Sequence, residues 1–458
     1  MFLKARALSV TTQNPPDLFS LLHHSPNAKH LRHLHAHLLR TFLYSNVVLS
    51  SKLVLAYSKL NHLFPTSLSV FWHMPYRNIF SWNIIIGEFS RSGFASKSID
   101  LFLRMWRESC VRPDDFTLPL ILRACSASRE AKSGDLIHVL CLKLGFSSSL
   151  FVSSALVIMY VDMGKLLHAR KLFDDMPVRD SVLYTAMFGG YVQQGEAMLG
   201  LAMFREMGYS GFALDSVVMV SLLMACGQLG ALKHGKSVHG WCIRRCSCLG
   251  LNLGNAITDM YVKCSILDYA HTVFVNMSRR DVISWSSLIL GYGLDGDVVM
   301  SFKLFDEMLK EGIEPNAVTF LGVLSACAHG GLVEKSWLYF RLMQEYNIVP
   351  ELKHYASVAD CMSRAGLLEE AEKFLEDMPV KPDEAVMGAV LSGCKVYGNV
   401  EVGERVAREL IQLKPRKASY YVTLAGLYSA AGRFDEAESL RQWMKEKQIS
   451  KVPGCSSI

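Results

Sequence analysis

Apolar residues recur at helical spacing along the stretch Val282 to Asn316: Ile283, Trp285, Leu288 and Ile289, then Val299, Phe302, Leu304, Phe305 and Met308. Two short amphipathic helices are predicted. They part at Gly296, where a chain leaving a helix needs a left-handed residue, and the second ends at Gly312 and Pro315. One such hairpin cannot bury both of its apolar faces alone, so it needs neighbours.

The chain supplies them by repetition. Ala-Cys occurs at Ala124-Cys125, Ala225-Cys226 and Ala326-Cys327, each 101 residues from the last. Blocks start at 79, 115 and 150, again at 181, 216 and 251, and again at 282, 317 and 352, a triplet of about 35, 35 and 31 residues. A degenerate first block covers 14–46, a regular block covers 47–78, and the pattern loosens but persists through 384–417 and 418–452. Counting each block's first residue as one, position fifteen holds Gly93, Gly164, Gly195, Gly230, Gly296, Gly331 and Gly366. Position twenty is always small, and position twenty-seven holds Met105, Met176, Met207, Met277, Met308, Met343 and Met378. Small residues let paired helices approach, and a recurring methionine reads as one core position repeated. The expected fold is all-α, a solenoid of helix-turn-helix repeats, each packed only on its neighbours.

Composition adds little to this picture, and charge changes it. Half of the 458 residues are apolar, and no apolar run reaches membrane-spanning length. Of the twelve cysteines, Cys125, Cys226, Cys327 and Cys394 share one helix position, which reads as buried reduced thiols. Net charge is +6, but residues 1–87 hold eight bases against one acid, a charge of +7, leaving 88–458 at −1. A nucleic acid bound by the body would therefore be held by specific contacts more than by bulk attraction.

Other candidate chemistries fall away. His33, His35 and His37 are spaced by two, which puts neighbours on different sides of a helix, and no partner ligand set accompanies them. Cys242, Cys246 and Cys248 lack a second ligand pair. Gly291, Gly293 and Gly296 satisfy G-x-G-x-x-G, but inside a helical repeat rather than after a strand. Residues 1–13, with Lys4, Arg6 and no acid, fit the start of an organelle transit peptide as well as an ordinary chain terminus.

The blocks resemble the plant pentatricopeptide repeat family, in the subclass that alternates long, short and standard motifs. SVLYTAMFGGYVQQGEAMLGLAMFREMGYSGFALD, from Ser181, is similar to the standard motif. LNLGNAITDMYVKCSILDYAHTVFVNMSRRD, from Leu251, resembles the short one, and SVVMVSLLMACGQLGALKHGKSVHGWCIRR, from Ser216, the long one. Residues 384–458 resemble the family's C-terminal extension (E) motifs, with YYVTLAGLYSAAGRFDEAESLRQWMKEK and PGCS the clearest parts. Met387 and Ser457 stand where that extension usually has tryptophan.

The resemblance implies a right-handed superhelix binding single-stranded RNA at one base per repeat. The fifth residue of a block and its last residue would meet a base edge together. The implied reading pairs are Ser51/Asn78, Asn83/Asp114, Ser154/Asp180, Thr185/Asp215, Asn255/Asp281 and Ser286/Asn316. Amides and carboxylates present different donor and acceptor patterns, so such pairs can discriminate. Position two (Phe80, Val182, Ile283) would sandwich bases, and position thirteen (Arg91, Lys263, Arg364) would contact phosphates. By the family's code the pairs read A-U-N-G-G-N-U-A from the 5′ end, the long blocks staying unread.

Family members with this extension usually specify C-to-U editing sites in organelle transcripts. The zinc signature of the family's DYW-type deaminase, H-x-E with C-x-x-C, does not occur in these 458 residues. The expected role is thus a non-catalytic site-recognition factor without a cofactor, working with a DYW-type deaminase in trans and organellar editing accessory factors, in the mitochondrion or alternatively the chloroplast. A stability, splicing or translation factor for organelle RNA is the second reading. A tetratricopeptide-like protein scaffold is the third, disfavoured because that class repeats a uniform 34-residue unit.

Overall fold

A computed structural model describes residues 18, 20–22, 27–60, 64–108, 111–209, 211, 215–245 and 250–449. Residues 1–13, Cys246, Cys248 and the final PGCS lie outside them. Among the described residues every regular element is a helix, as the periodicity predicts. The chain divides into two compact units, Met1–Ala213 and Leu214–Ile458.

In the first unit α1 (Ala28–Arg40) precedes five hairpins: α2 (Val47–Lys59) with α3 (Phe64–His73), α4 (Ile79–Arg91) with α5 (Ala95–Glu108), α6 (Thr117–Ser128) with α7 (Ala131–Lys143), α8 (Leu150–Asp162) with α9 (Leu166–Asp175), and α10 (Ser181–Gln193) with α11 (Ala197–Tyr209). The second unit holds seven more: α12 (Ser216–Gln228) with α13 (Leu232–Arg245), α14 (Leu251–Lys263) with α15 (Leu267–Asn276), α16 (Val282–Asp295) with α17 (Val298–Lys310), α18 (Ala317–Gly330) with α19 (Val333–Glu345), α20 (Leu352–Arg364) with α21 (Leu368–Glu376), α22 (Glu384–Tyr397) with α23 (Val400–Leu413), and α24 (Ala418–Ala430) with α25 (Phe434–Glu446). Within each unit the first helices of successive hairpins pack on one another, so their N-termini form a row.

First helices begin where the blocks do, with one correction. The block at 115 starts its helix at Thr117, because the Asp114 carboxylate accepts the N–H groups of both Phe116 and Thr117 (3.1 and 2.8 Å) and holds the two intervening residues in a turn. At position fifteen the chain is left-handed, with φ 86° at Gly296. Arg129 and Ser265 adopt the same conformation without glycine, at φ 54° and 57°. The small residues of position twenty are buried; a Cβ on Gly200 would sit 2.8 Å from Val192 on the paired helix, and one on Gly235 2.4 Å from the Met260 sulfur of the next hairpin. Met105, Met176, Met207, Met277, Met308 and Met343 are all core.

The G-x-G-x-x-G glycines each have a packing reason. Gly296 makes the turn, and a Cβ on Gly291 would press on Val262 at 2.9 Å. A Cβ on Gly293 would lie 2.1 Å from the Gly322 carbonyl oxygen, so α16 and α18 touch main chain to main chain. Cys125, Cys226, Cys327 and Cys394 are buried free thiols, pushed by burial up to about 12, 11, 12 and 11. The histidines of α1 do not converge: His35 turns inward onto Tyr44 and Tyr57, while His33 Nδ1 donates to Lys29 O at 2.7 Å. No helix among the described residues is long and apolar enough to cross a membrane.

Candidate nucleic-acid interface

The row of helix N-termini carries the candidate readers. Except at Asp114, where Phe116 holds that place, a block's last residue is the N-cap of the next first helix. Asn78, Asp180, Asp215, Asp281 and Asn316 each accept backbone N–H groups there, satisfying donors that a helix start leaves unpaired. In the short blocks an arginine just before the cap clasps the turn. Arg77, Arg179 and Arg280 donate through Nε to the carbonyls of Phe71, Phe173 and Phe274, at 3.2, 2.8 and 3.0 Å. Each guanidinium also lies over the ring of the same phenylalanine, 4.8 to 5.6 Å from its centroid. That ring takes the edge of Trp82, Tyr184 or Trp285 at position four of the next helix. One cluster therefore fixes both the turn and the helix that carries the fifth position.

Two of the six pairs are directly joined in the same way. Asn83 Nδ2 donates to Asp114 Oδ1 at 3.2 Å, and Asn255 Nδ2 to Asp281 Oδ1 at 3.0 Å. Burial works against ionisation of Asp114 and Asp281, but hydrogen bonds outweigh it and hold both carboxyls below the usual range. Asp114 receives them from Thr117, Asn83 and Phe116; Asp281 from Ser284, Asn255 and Ile283. Their stabilising effect is present above the unfolded pKa and is lost only as pH falls through the lowered folded value. At neutral pH both carboxyls are anions.

The serine pairs differ from a reading in which both side chains face a base. Ser51 and Ser286 are 0% and 2% exposed, and their hydroxyls donate to Val47 O and Val282 O, each at 2.5 Å. Ser286 Oγ also lies 3.1 Å from Asn316 Oδ1, and Ser51 Oγ lies 3.5 Å from Asn78 Oδ1. In Ser286/Asn316 the asparagine oxygen is engaged inward, by Ser286, Thr319 N and Thr319 Oγ1, and the amide nitrogen is left for a ligand. Ser154 turns its hydroxyl onto Leu150 O at 2.7 Å while Asp180 caps Leu183 N. Thr185 lies in the first unit, bonded to Ser181 O at 2.7 Å, and Asp215 in the second, capping Val218 N at 2.9 Å.

Phe80, Val182 and Ile283 are exposed, at 41%, 61% and 54%. Residues that the pair-based reading passed over share their position: Phe116 and Phe151, in a long and a short block, are 70% and 68% exposed and stack at 6.5 Å. A phenylalanine at the second position of a block was the available signal. A cavity of about 570 Å³ has Phe80, Phe116, Asn83, Asp114 and Arg91 in its lining, with the aliphatic Leu55, Ile79, Ile84 and Leu120. It joins two aromatic side chains, an amide–carboxylate pair and a cation.

The three position-thirteen cations are not free. Arg91 pairs with Glu88 at 2.6 Å, Lys263 with Asp259 at 2.8 Å and Arg364 with Asp360 at 2.8 Å, each acid one turn back on the same helix. Such exposed pairs are worth about 0–1 kcal/mol and exchange readily. Lys263 and Arg364 also line cavities, of about 360 and 570 Å³.

Comparison with known proteins falls on the same repeats. The PPR repeat matches residues 80–110, 151–181, 182–212, 318–348 and 354–381, the PPR repeat family 280–329, and the E motif 397–458. The pentatricopeptide repeat-containing protein At1g77170, mitochondrial, of Arabidopsis thaliana is 36% identical over 82% of this chain and 81% of its own length. The chain belongs to the pentatricopeptide repeat family. A second Arabidopsis thaliana relative, pentatricopeptide repeat-containing protein CRR2, chloroplastic, is 35% identical over 98% of this pentatricopeptide repeat chain and 70% of its own. A third, At2g33680, is 36% identical over 93%, and the chain spans only 59% of its length. Among solved structures, the pentatricopeptide repeat protein PPR10 in complex with an 18-nt psaJ RNA element is 18% identical over 95% of this chain and 79% of its own, with a TM-score of 0.38.

Proposed function

We propose that this chain binds single-stranded RNA in a sequence-specific way and acts as a site-recognition factor for C-to-U editing of organelle transcripts. The observation that carries the reading is the cavity lined by Phe80 and Phe116, whose polar lining is Asn83, Asp114 and Arg91. A base is a flat apolar plate with a polar rim, and this lining has one group for each of its faces. Single bases with free Watson–Crick edges fit such a site; a duplex does not. Residues 14–383 would read the transcript. Residues 384–458, where the E motif match lies, would engage a DYW-type deaminase supplied in trans and the editing accessory factors. Relatives named mitochondrial and chloroplastic support an organelle, and we favour the mitochondrion, with the chloroplast as alternative.

The reading is tested by filter binding of the purified chain. An RNA carrying A-U-N-G-G-N-U-A is expected to bind, and each mismatch at a read base is expected to weaken it by about 1–3 kcal/mol. Equal binding of a scrambled RNA would remove sequence-specific reading; preference for peptide over RNA would favour a protein scaffold. Sequencing organelle cDNA from plants lacking the protein separates editing from the other RNA roles. Loss of conversion at one cytosine 3′ of that sequence is expected, whereas changed transcript abundance or splicing with editing intact would favour the stability or splicing reading.

A further inference from the structure

A third side chain closes three of the pairs, at a position given no part in RNA contact so far; at Ser51/Asn78 the equivalent Ser81 hydroxyl turns instead to Asn78 O at 2.8 Å. It stands three residues after the last residue of the preceding block. Thr117 Oγ1 donates to Asn83 Oδ1 at 2.7 Å and accepts from Asp114 N at 3.2 Å. Ser284 Oγ donates to Asn255 Oδ1 at 2.6 Å and accepts from Asp281 N at 3.1 Å. Thr319 Oγ1 lies 2.8 Å from Ser286 Oγ and accepts from Asn316 N at 3.0 Å. All three hydroxyls belong to fully buried residues.

This geometry removes a degree of freedom. An asparagine amide can rotate by half a turn and exchange its donor and acceptor ends. At Asn255 the turned amide would set its oxygen against the Asp281 carboxylate. The Ser284 hydroxyl, 2.6 Å from Asn255 Oδ1 and 3.0 Å from Asp281 Oδ1, ties the amide to the carboxylate in the observed orientation. The carboxylate thus selects one orientation and the hydroxyl holds it, and the same is true at Asn83, where Thr117 Oγ1 lies 2.7 Å from both Asn83 Oδ1 and Asp114 Oδ1. Where the third residue is apolar the ring is missing. Leu183 follows Asp180, and there the Ser154 hydroxyl goes back to its own helix.

We propose that Thr117, Ser284 and Thr319 are positioning residues, each locking its reading pair in one donor–acceptor arrangement and so setting how sharply that repeat tells one base from another. The inference rests on the RNA reading above. A repeat with the lock presents one fixed pattern; a repeat with Leu183 or Val218 in that place presents several and tolerates more bases.

The test uses the full chain and A-U-N-G-G-N-U-A RNAs altered either at the final A, the base assigned to Ser286/Asn316, or at the first U, assigned to Asn83/Asp114. Thr319→Val keeps the shape and removes the hydroxyl. It is expected to lower the A-over-G affinity ratio at the final base by about threefold to tenfold, the worth of one hydrogen bond. The ratio at the first U should stay unchanged, and Thr319→Ser should restore the lost discrimination. Ser284→Ala provides a second reading at the later U, with the final A as its control, should Thr319→Val lose its helical circular dichroism. An unaltered ratio in a folded Thr319→Val or Ser284→Ala would overturn the lock. So would an equal loss at every base that Thr319→Ser fails to restore, since that is general loosening. A wild-type chain that ranks none of these RNAs would instead show that the RNA reading is wrong, and the lock would fall with it.

Discussion

Gly293→Ala is expected to destabilise the protein, against the sense of helix propensity. Alanine is the better helix former by about 0.5–1 kcal/mol, so at an open site in mid-helix the change would stabilise. Gly293 is not open: its new Cβ would stand 2.1 Å from the carbonyl oxygen of Gly322, which is main chain and cannot swing away. α16 and α18 would have to separate, loosening the core through which Ile289 and Val323 belong to one cluster. Overpacking of this kind costs about 1–3 kcal/mol, and the rigidity of both partners puts this site at the upper end. Gly388→Ala is the control. That glycine lies within α22 with nothing inside 4 Å of a new Cβ, so its replacement is expected to stabilise by about 0.5–1 kcal/mol. Urea denaturation followed by circular dichroism compares the two. Equal midpoints for Gly293→Ala and wild type would mean that the two backbones do not meet as described.

Asn316→Asp is expected to change the base preferred at the last reading site from A to G. The two side chains have the same shape and both cap helices well, so stability should hold. Oδ1 would keep its inward partners, Ser286, Thr319 N and Thr319 Oγ1. What changes is the outward atom: an amide nitrogen that donates becomes a carboxylate oxygen that accepts. Adenine offers an acceptor at N1, whereas guanine offers donors at N1 and N2. The preference should therefore reverse by about 1–3 kcal/mol. Binding of both proteins to two RNAs that differ only at that base decides it; if both proteins rank the RNAs alike, Asn316 does not face a base.

Much of the architecture was legible from residue pattern alone. The period, the hairpins and the glycine turns follow from apolar spacing and small residues, and the caps follow from Asn and Asp ahead of apolar runs. The site was legible only in outline. Nothing in the sequence distinguishes a serine that faces the groove from Ser286, whose hydroxyl is turned back onto its own helix. Ser284 and Thr319 look like ordinary first-turn residues until the neighbouring helix is placed beside them. Phe116 and Phe151 sit in blocks whose pairs were unreadable or unconnected, yet they share the exposed position of Phe80. The acid one turn before each cation was present in the sequence, but pairing depends on rotamers rather than on residue type.

Those acid partners bear on how a transcript would be searched. A phosphate reaching Arg91, Lys263 or Arg364 has to displace Glu88, Asp259 or Asp360, so each contact is an exchange of one anion for another. Little net charge is neutralised, few counterions are released, and the affinity for arbitrary RNA stays low. The chain would then dwell briefly on wrong sequences and linger only where base edges match. Its selectivity would come from rapid departure rather than from tight capture.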